Sequence, residues 1–454
     1  MKNLKKLFKK FNIDGYIVSK NDEFFNEYTE AKNNRLKLIS NFTGSAGFAI
    51  ILKNKNYLFV DGRYSIQARK QSGKKFNIIT VPSQLPKDVI KTKKKIILGY
   101  DPKLHTTRQL KRNFLIKNVN LKPIFHENLV DSAYKIKRER TIKPFFTLSK
   151  KSSGLKSKNK VNKVKKILKK KKIDYLLVTA PENIAWALNL RGSDIPYSPV
   201  TNARLLISKN NKTILFVNPK KVIKLNNINA DILSENDLEI QIKNISKKLI
   251  WIDTLTCSVF YANLIKEKNK IYENLDPIYF LKSKKNNIEL KNIKKSHLFD
   301  GIALTKFLFW LKRNFKKKKI TEISAQEKLE KFRKKHASYK YPSFDTISGT
   351  GPNGAIIHYK ASKKTNRTLK TGELYLVDSG GQYLFGTTDV TRTVSLENKS
   401  NFIKEIYTRI LKGHIAVSNF KIKKRTTGSE VDKKARKFLK EVNLDYPHGT
   451  GHGV

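Results

Sequence analysis

The chain has 454 residues, 39% of them hydrophobic and 10% aromatic, so it can fill two or three globular cores and is not an intrinsically disordered protein. Its 95 Lys and Arg against 37 Asp and Glu give a formal net charge of +58, and its single cysteine, Cys257, excludes an intramolecular disulfide framework and a cysteine-rich zinc site. Because the excess is mostly lysine spread along the chain, we expect a solvated basic surface and no specific nucleic-acid partner.

The N-terminus is basic, but no long apolar stretch follows it. Leu4, Leu7, Phe8 and Phe11 recur at helical spacing, which predicts an amphipathic helix rather than a signal peptide. No apolar run reaches the roughly 18 residues of a membrane span. The sequence therefore predicts a cytoplasmic protein without a membrane partner.

Short apolar runs alternate with helical patterns up to about residue 140. The runs are YIV at 16–18, GFAIIL at 47–52 and YLFV at 57–60. This alternation predicts an α/β layer structure.

A second unit of the same kind is predicted after residue 160. Residues 150–160 lack apolar periodicity and carry Ser and Gly, which is typical of a linker. An amphipathic helix over 161–172 and a strand over 174–180 then repeat the helix-then-strand opening of the chain. We therefore expect two homologous α/β domains.

A third unit follows a change of composition at 282–296. It is predicted to open with a long helix over 298–314 and to contain strands over 373–378 and 388–396, which flank a glycine-rich turn. These two strands predict a hairpin-like pair.

The segment GTGPNG at 349–354 satisfies the spacing of a dinucleotide-binding fingerprint. That fingerprint requires glycines that open a helix. Here a proline interrupts the loop, and AIIHY at 355–359 has strand character. A nicotinamide or flavin site is therefore not expected.

A constellation of carboxylates and imidazoles has the character of a metal site. Asp378 ends a strand that is predicted to be buried, where an unpaired carboxylate is costly and a metal ion removes the cost. Asp389 lies on the return strand, so both carboxylates can face one point. With His452 they form a donor set that suits Mn, Co or Zn. His358 and His448 belong to the same pattern of candidate residues. Taken singly, each of these residues is more often structural than catalytic.

Seven segments, in chain order, carry a resemblance to a known family. They are ISNFTGSAG at 39–47, VDGRYSIQA at 60–68, IAWALNLRGSDIPYSPV at 184–200, TEISAQEKLEKFR at 321–333, FDTISGTGPNGAIIHY at 344–359, LVDSGGQYLFGTTDVTRT at 376–393 and HGTGHGV at 448–454. Through them, essentially the whole chain resembles the three-domain aminopeptidase P family, the Xaa-Pro aminopeptidases of peptidase family M24.

The resemblance implies a fold that combines α/β and α+β domains. Two creatinase-type N-terminal α/β domains are expected at 1–145 and 155–287, followed by a pita-bread metallopeptidase domain at 290–454. It implies a cofactor of two divalent metal ions, commonly Mn, and peptide substrates with an Xaa-Pro N-terminus. The N-terminal residue would be released by a hydroxide that bridges the two ions.

The resemblance also assigns the residues of the constellation. Asp378, Asp389 and His452 match metal ligands. His358 matches a catalytic histidine that contacts substrate, and His448 matches a further catalytic histidine of the active site. A homodimer is a further implication.

The family has two more glutamate ligands and another catalytic histidine after HGTGHG. This sequence does not contain them, so we expect an incomplete pita-bread domain and a chain that is either part of a longer protein or has little activity. The alternatives are a non-catalytic pita-bread binding module and another pita-bread activity, such as that of a prolidase-like dipeptidase, a methionine aminopeptidase or a creatinase.

Overall fold

The computed structural model describes residues 1–137, 142–222, 228–398 and 400–453. Val454, the last residue of the HGTGHGV segment, lies outside the described residues. The chain divides into two compact units, Met1–Lys294 and Lys295–Val454, called unit 1 and unit 2 below. Among the helices described, none is both long and apolar enough to cross a membrane.

Unit 1 begins with a six-stranded sheet and short helices. The strands are β1 (Gly15–Ser19), β2 (Phe48–Leu52), β3 (Asn56–Asp61), β4 (Asn77–Val81), β5 (Ile96–Tyr100) and β6 (Val119–Pro123). The helices are α1 (Lys2–Lys10), α2 (Arg35–Ser40), α3 (Ser65–Ser72), α4 (Pro86–Val89), α5 (Thr107–Phe114) and α6 (Leu129–Ala133). The predicted first helix and three predicted strands are confirmed, and Leu4 and Phe8 are buried.

The rest of unit 1 contains a second six-stranded sheet and a short two-stranded one. The strands are β7 (Phe146–Thr147), β8 (Tyr175–Val178), β9 (Leu190–Arg191), β10 (Arg204–Ser208), β11 (Thr213–Phe216), β12 (Asp231–Leu233), β13 (Leu249–Ile252) and β14 (Lys270–Glu273). The helices are α7 (Lys150–Ser153), α8 (Ser157–Lys170), α9 (Pro181–Ala187), α10 (Asp237–Asn244), α11 (Val259–Lys266) and α12 (Ile278–Ser283). Strand β7 pairs with β9.

The two six-stranded sheets have the same topology. Their orders are β4-β3-β2-β1-β5-β6 and β12-β11-β10-β8-β13-β14, with matching parallel and antiparallel pairs. Each central strand is preceded by an aspartate whose carboxylate accepts a backbone N–H from the neighbouring parallel strand: Asp14 from Ile97 and Asp174 from Leu249. The predicted repeat of an α/β domain is confirmed by this shared topology.

The predicted linker at 150–160 is wrong, because α7 and the first turn of α8 occupy it. Helix α8 also begins four residues before the predicted position. The buried positions here are polar, so they do not register as apolar periodicity. Ser153 and Ser157 are buried, and the Lys160 ammonium donates to the Trp186 carbonyl and the Asn189 side chain.

Among the described residues from 287 onward, the structure has four α-helices and six strands. The helices are α13 (Asn287–Asn314), α14 (Glu322–Arg333), α15 (Asn401–Ser418) and α16 (Gly428–Lys440). The strands are β15 (Tyr339–Pro342), β16 (Ile347–Thr350), β17 (Leu374–Ser379), β18 (Gly381–Tyr383), β19 (Gly386–Thr387) and β20 (Val390–Ser395). They form two three-stranded sheets, ordered β15-β18-β19 and β16-β17-β20.

The predicted long helix begins at residue 287 rather than 298. The Asn286 side chain accepts hydrogen bonds from the backbone of Ile288 and Glu289, which caps the helix in a segment that composition alone marked as a boundary. In unit 2, apolar residues of α13 and α14 pack against the central strand β17 in one core, which includes Phe307, Leu329 and Tyr375.

The predicted strand pair in unit 2 is confirmed. β17 and β20 pair antiparallel from Leu374 opposite Ser395 to Ser379 opposite Val390, and the two short strands between them in sequence belong to the other sheet. The strand character read at 355–359 is wrong. Gly351–Ala355 forms a 3₁₀ helix, and a turn follows in which His358 has a φ of 54°.

Candidate metal centre

Asp378 lies near the end of the central strand of a three-stranded sheet. It is opposite Ile347 on β16 and Thr391 on β20. Its Oδ1 atom is buried and has no hydrogen-bond partner among the described residues. Burial raises the pKa of the Asp378 carboxyl to about 6; the charge of Asp389 adds to the increase, while Thr391 and His452 oppose it.

Asp389 and His452 lie beside this carboxyl. Asp389 directly precedes β20, and its Oδ2 atom is 3.6 Å from Nε2 of His452. The Asp389 side chain is 26% exposed and the His452 side chain 73% exposed. Of the five residues singled out in the sequence, the structure therefore pairs Asp389 with His452 and places Asp378 within range of both charges.

This group fits a divalent metal ion in its chemistry. The buried Asp378 Oδ1 atom lacks a donor, and carboxylate oxygens with one imidazole are ligands that Mn, Co and Zn accept. Within the described parts of the chain, however, no group of three His, Cys, Asp or Glu side chains is close enough to hold an ion. The three residues supply a partial ligand set.

His358 and His448 lie in different local settings. His358 is exposed on the turn that follows the 3₁₀ helix. The His448 ring lies 4.6 Å from the Tyr446 ring, centroid to centroid, and its backbone carbonyl accepts a hydrogen bond from Arg436. In the described part of the chain, the contacts of His448 are to this C-terminal segment and not to the two carboxylates.

Sequence reasoning missed two buried charged groups that support the site. Glu322 accepts hydrogen bonds from the Thr350 backbone, the Asn353 amide and the Tyr359 hydroxyl, and so ties down the segment that carries His358. Arg333 bonds to Asp300 and to Ser379, the residue after Asp378.

A signal for these two residues was present in the helical spacing of α14. The buried residues of this helix are Glu322, Ala325, Leu329 and Arg333, which are separated by three, four and four positions. That is one face of an α-helix. Charged residues on the same face as Ala and Leu predict a buried, paired charge.

Three family models together match nearly the whole chain. Residues 1–140 and 137–289 match the Creatinase/Prolidase N-terminal domain, in two versions of that model. Residues 291–454 match metallopeptidase family M24.

Solved structures of related proteins share the fold of this chain. An X-prolyl aminopeptidase from Caenorhabditis elegans, described as a cytosolic enzyme with a di-nuclear active site, matches with a TM-score of 0.91 and 28% identity, over 100% of this chain and 78% of that one. A prolidase from Pyrococcus horikoshii, with a TM-score of 0.51 and 22% identity over 63% of this chain and 78% of that one, shares the fold alone.

Curated relatives are more similar in sequence. Xaa-Pro aminopeptidase ApepP of Drosophila melanogaster is 37% identical over 96% of this chain and 74% of the relative. Xaa-Pro aminopeptidase 1 of Dictyostelium discoideum is 35% identical over 100% of this chain and 76% of the relative. With creatinase-type N-terminal domains, an M24 domain and this degree of identity, the chain belongs to the Xaa-Pro aminopeptidase family of the M24 metallopeptidases.

Proposed function

We propose that this protein is a metal-dependent aminopeptidase that releases the N-terminal residue of peptides whose second residue is proline. The observation that carries the proposal is the buried Asp378 oxygen without a donor, with Asp389 and His452 beside it, in a chain whose relatives are named Xaa-Pro aminopeptidases. The structural relative has a di-nuclear site, so we assign two divalent ions to this protein. Mn²⁺ is the metal that we propose, because the family resemblance implies it and carboxylate oxygens with an imidazole suit it.

The chain's own residues divide into two roles in this proposal. Asp378, Asp389 and His452 hold the ions, because their oxygen and nitrogen atoms are the available hard and borderline donors at the end of β17. His358 contacts the substrate and His448 is a further catalytic histidine, as the family resemblance implies. Imidazole suits both roles, because it can donate or accept a proton near neutral pH. Bound divalent ions supply Lewis-acid stabilisation of negative charge at the scissile carbonyl and lower the pKa of a water ligand.

We also propose the domain limits 1–145, 155–287 and 290–454. Two sheets of one topology in unit 1 and the three matched ranges support these limits. We propose a cytoplasmic location, because the Caenorhabditis elegans relative is a cytosolic enzyme. Formation of a homodimer stays a prediction, which size-exclusion chromatography with light scattering tests.

Calorimetric titration with Mn²⁺ is the first experiment, because metal binding is the step on which the proposed activity depends. The parent chain should bind Mn²⁺, and Asp378→Asn should abolish measurable binding. Hydrolysis of Ala-Pro-Ala, Ala-Pro and Ala-Ala-Ala is measured beside it. Cleavage of the first peptide alone supports an aminopeptidase, and cleavage of Ala-Pro alone supports a dipeptidase. Binding of Mn²⁺ without any cleavage would replace the proposal with a binding module.

A further inference from the structure

A buried ion pair joins two helices of unit 2. Arg333 of α14 donates from Nε to Asp300 Oδ1 at 2.7 Å and from Nη2 to Asp300 Oδ2 at 3.0 Å. The two side chains are 2% and 3% exposed. Two parallel N–H···O bonds of this kind fix the guanidinium plane as well as its position.

The pair is connected to the strand that carries Asp378. Arg333 Nη2 also lies 3.0 Å from Ser379 Oγ. The Tyr383 hydroxyl of β18 donates to Asp300 Oδ1 at 2.9 Å. One charged cluster thus holds α13, α14, the end of β17 and β18 together.

The bond to Ser379 can orient Asp378 without occupying its carboxylate. Successive side chains of a strand point to opposite faces of the sheet. Ser379 is fully buried and bonded to Arg333, while the neighbouring Asp378 keeps an oxygen atom without a partner among the described residues. Holding the Ser379 side chain therefore restrains the backbone of its neighbour Asp378. The carboxylate oxygen Oδ1 of Asp378 stays available to a ligand.

The same cluster borders the segment that carries Asp389. Gly381, two residues after Ser379, donates its N–H to Thr388 Oγ1 at 2.9 Å and accepts the Thr388 N–H at 3.0 Å. The Thr388 carbonyl accepts a hydrogen bond from Ser343 Oγ at 2.8 Å. Thr388 directly precedes Asp389, so the β17–β18 turn sets the position of both carboxylates.

A buried ion pair is weak evidence for stability, because desolvation offsets much of the attraction and apolar residues of similar volume often serve as well. Orientation of neighbouring groups is the alternative use of such a pair. We propose that the Asp300–Arg333 pair is a positioning unit for the metal site, acting on Asp378 through the hydroxyl of Ser379. This inference rests on the proposed metal-dependent function.

Three variants of the full chain test the inference. Ser379→Ala removes the hydroxyl, and Arg333→Lys keeps the charge but loses the planar fork. Ser348→Ala is the matched control: Ser348 is equally buried, lies on β16 of the same sheet, and bonds to the Glu322 carbonyl and Tyr375 instead. Affinity for Mn²⁺ is measured by calorimetry, hydrogen exchange of 378–388 by mass spectrometry, and stability by urea unfolding.

The Ser379 and Arg333 variants should bind Mn²⁺ about tenfold more weakly, at the low end of the effect of removing groups that orient metal ligands. Both should exchange faster over 378–388. The Ser348 variant should lose stability with unchanged affinity and exchange. Equal Mn²⁺ affinity and exchange in all three variants, or equal changes in the control, would overturn the inference. If the parent chain binds no Mn²⁺, the metal function fails, and the exchange comparison alone decides the positioning role.

Discussion

At the scale of single residues, Asp378 is a carboxylate that burial disfavours in its charged form. Its pKa is raised to about 6 by burial and by Asp389, above the ordinary value of 3.8. The folded chain therefore binds a proton more tightly than the unfolded chain between these two values. Stability gained from that proton is fully present below about pH 4 and is lost as the pH rises through about 6.

Asp378→Asn should therefore stabilise the metal-free protein at pH 7, by about 1–3 kcal/mol, because the amide stays neutral. At about pH 3.5 the parent and variant should have equal free energies of unfolding. Urea unfolding at the two pH values measures the difference. The more exposed Asp345, paired with Lys360, provides the control: Asp345→Asn should change stability by less than about 0.5 kcal/mol. A variant that is less stable than the parent at pH 7 would contradict this account.

Gly380 presents a steric requirement at the turn between β17 and β18. A Cβ atom there would overlap the Thr388 carbonyl oxygen and Ser343 Oγ. We expect Gly380→Ala to lower the free energy of unfolding by about 1–3 kcal/mol through overpacking. Gly301 of α13 has no atom within 4 Å of such a Cβ, so Gly301→Ala should raise stability by about 0.5–1 kcal/mol. Chemical denaturation compares both, and equal effects would remove the steric explanation.

At the scale of elements, α14 is fixed at both ends by buried charges. Glu322 at its first turn accepts from four groups: the backbone N–H of Thr350 and Arg367, the Asn353 amide and the Tyr359 hydroxyl. Because all four partners donate hydrogen bonds, an ionised carboxylate, which only accepts, can bond to every one of them. The hydrogen bond from Tyr359 to Glu322 draws the Tyr359 side chain toward α14, which accounts for the turn at 356–358 in place of a strand.

Glu322→Gln places an NH₂ group among those donors and should lower the free energy of unfolding by about 2–4 kcal/mol. Glu330, on the same helix, forms an exposed ion pair with Lys334 at 2.8 Å. Glu330→Gln should cost at most about 0.5 kcal/mol. Urea denaturation of the two variants gives the comparison. A small loss in the Glu322 variant would show that the turn before β17 does not depend on this carboxylate.

At the scale of the whole molecule, the net charge of +58 governs nonspecific association. A single-stranded oligonucleotide should bind at low salt without sequence preference and should dissociate by about 200 mM salt, because the binding arises from counterion release. Fluorescence anisotropy at the two salt concentrations measures this. Sequence-selective binding that persists at about 200 mM would overturn the expectation of no specific nucleic-acid partner.

Local patterns determined much of the architecture. Apolar runs and helical spacing predicted β1, β2, β3, β17 and β20, and the repeat of helix and strand predicted two related sheets. The misses occurred where polar residues are buried or cap a helix. In α8, Ser157 is buried although polar, and Lys160 bonds to Asn189, which is distant in sequence. Before α13, Asn286 caps the helix through hydrogen bonds from backbone N–H groups. Apolar periodicity records none of these features.

By itself, the sequence determined the family, the order of its units and the residues proposed for the metal site. These features can be read from the sequence because motifs are residue types at fixed spacing along the chain. Only the tertiary structure decided that Asp378 retains a buried oxygen without a donor and that Arg333 reaches Ser379 from another helix. The physical reason is that burial, pKa and hydrogen-bond partners depend on atoms brought together from positions up to dozens of residues apart, such as Asp300 and Arg333.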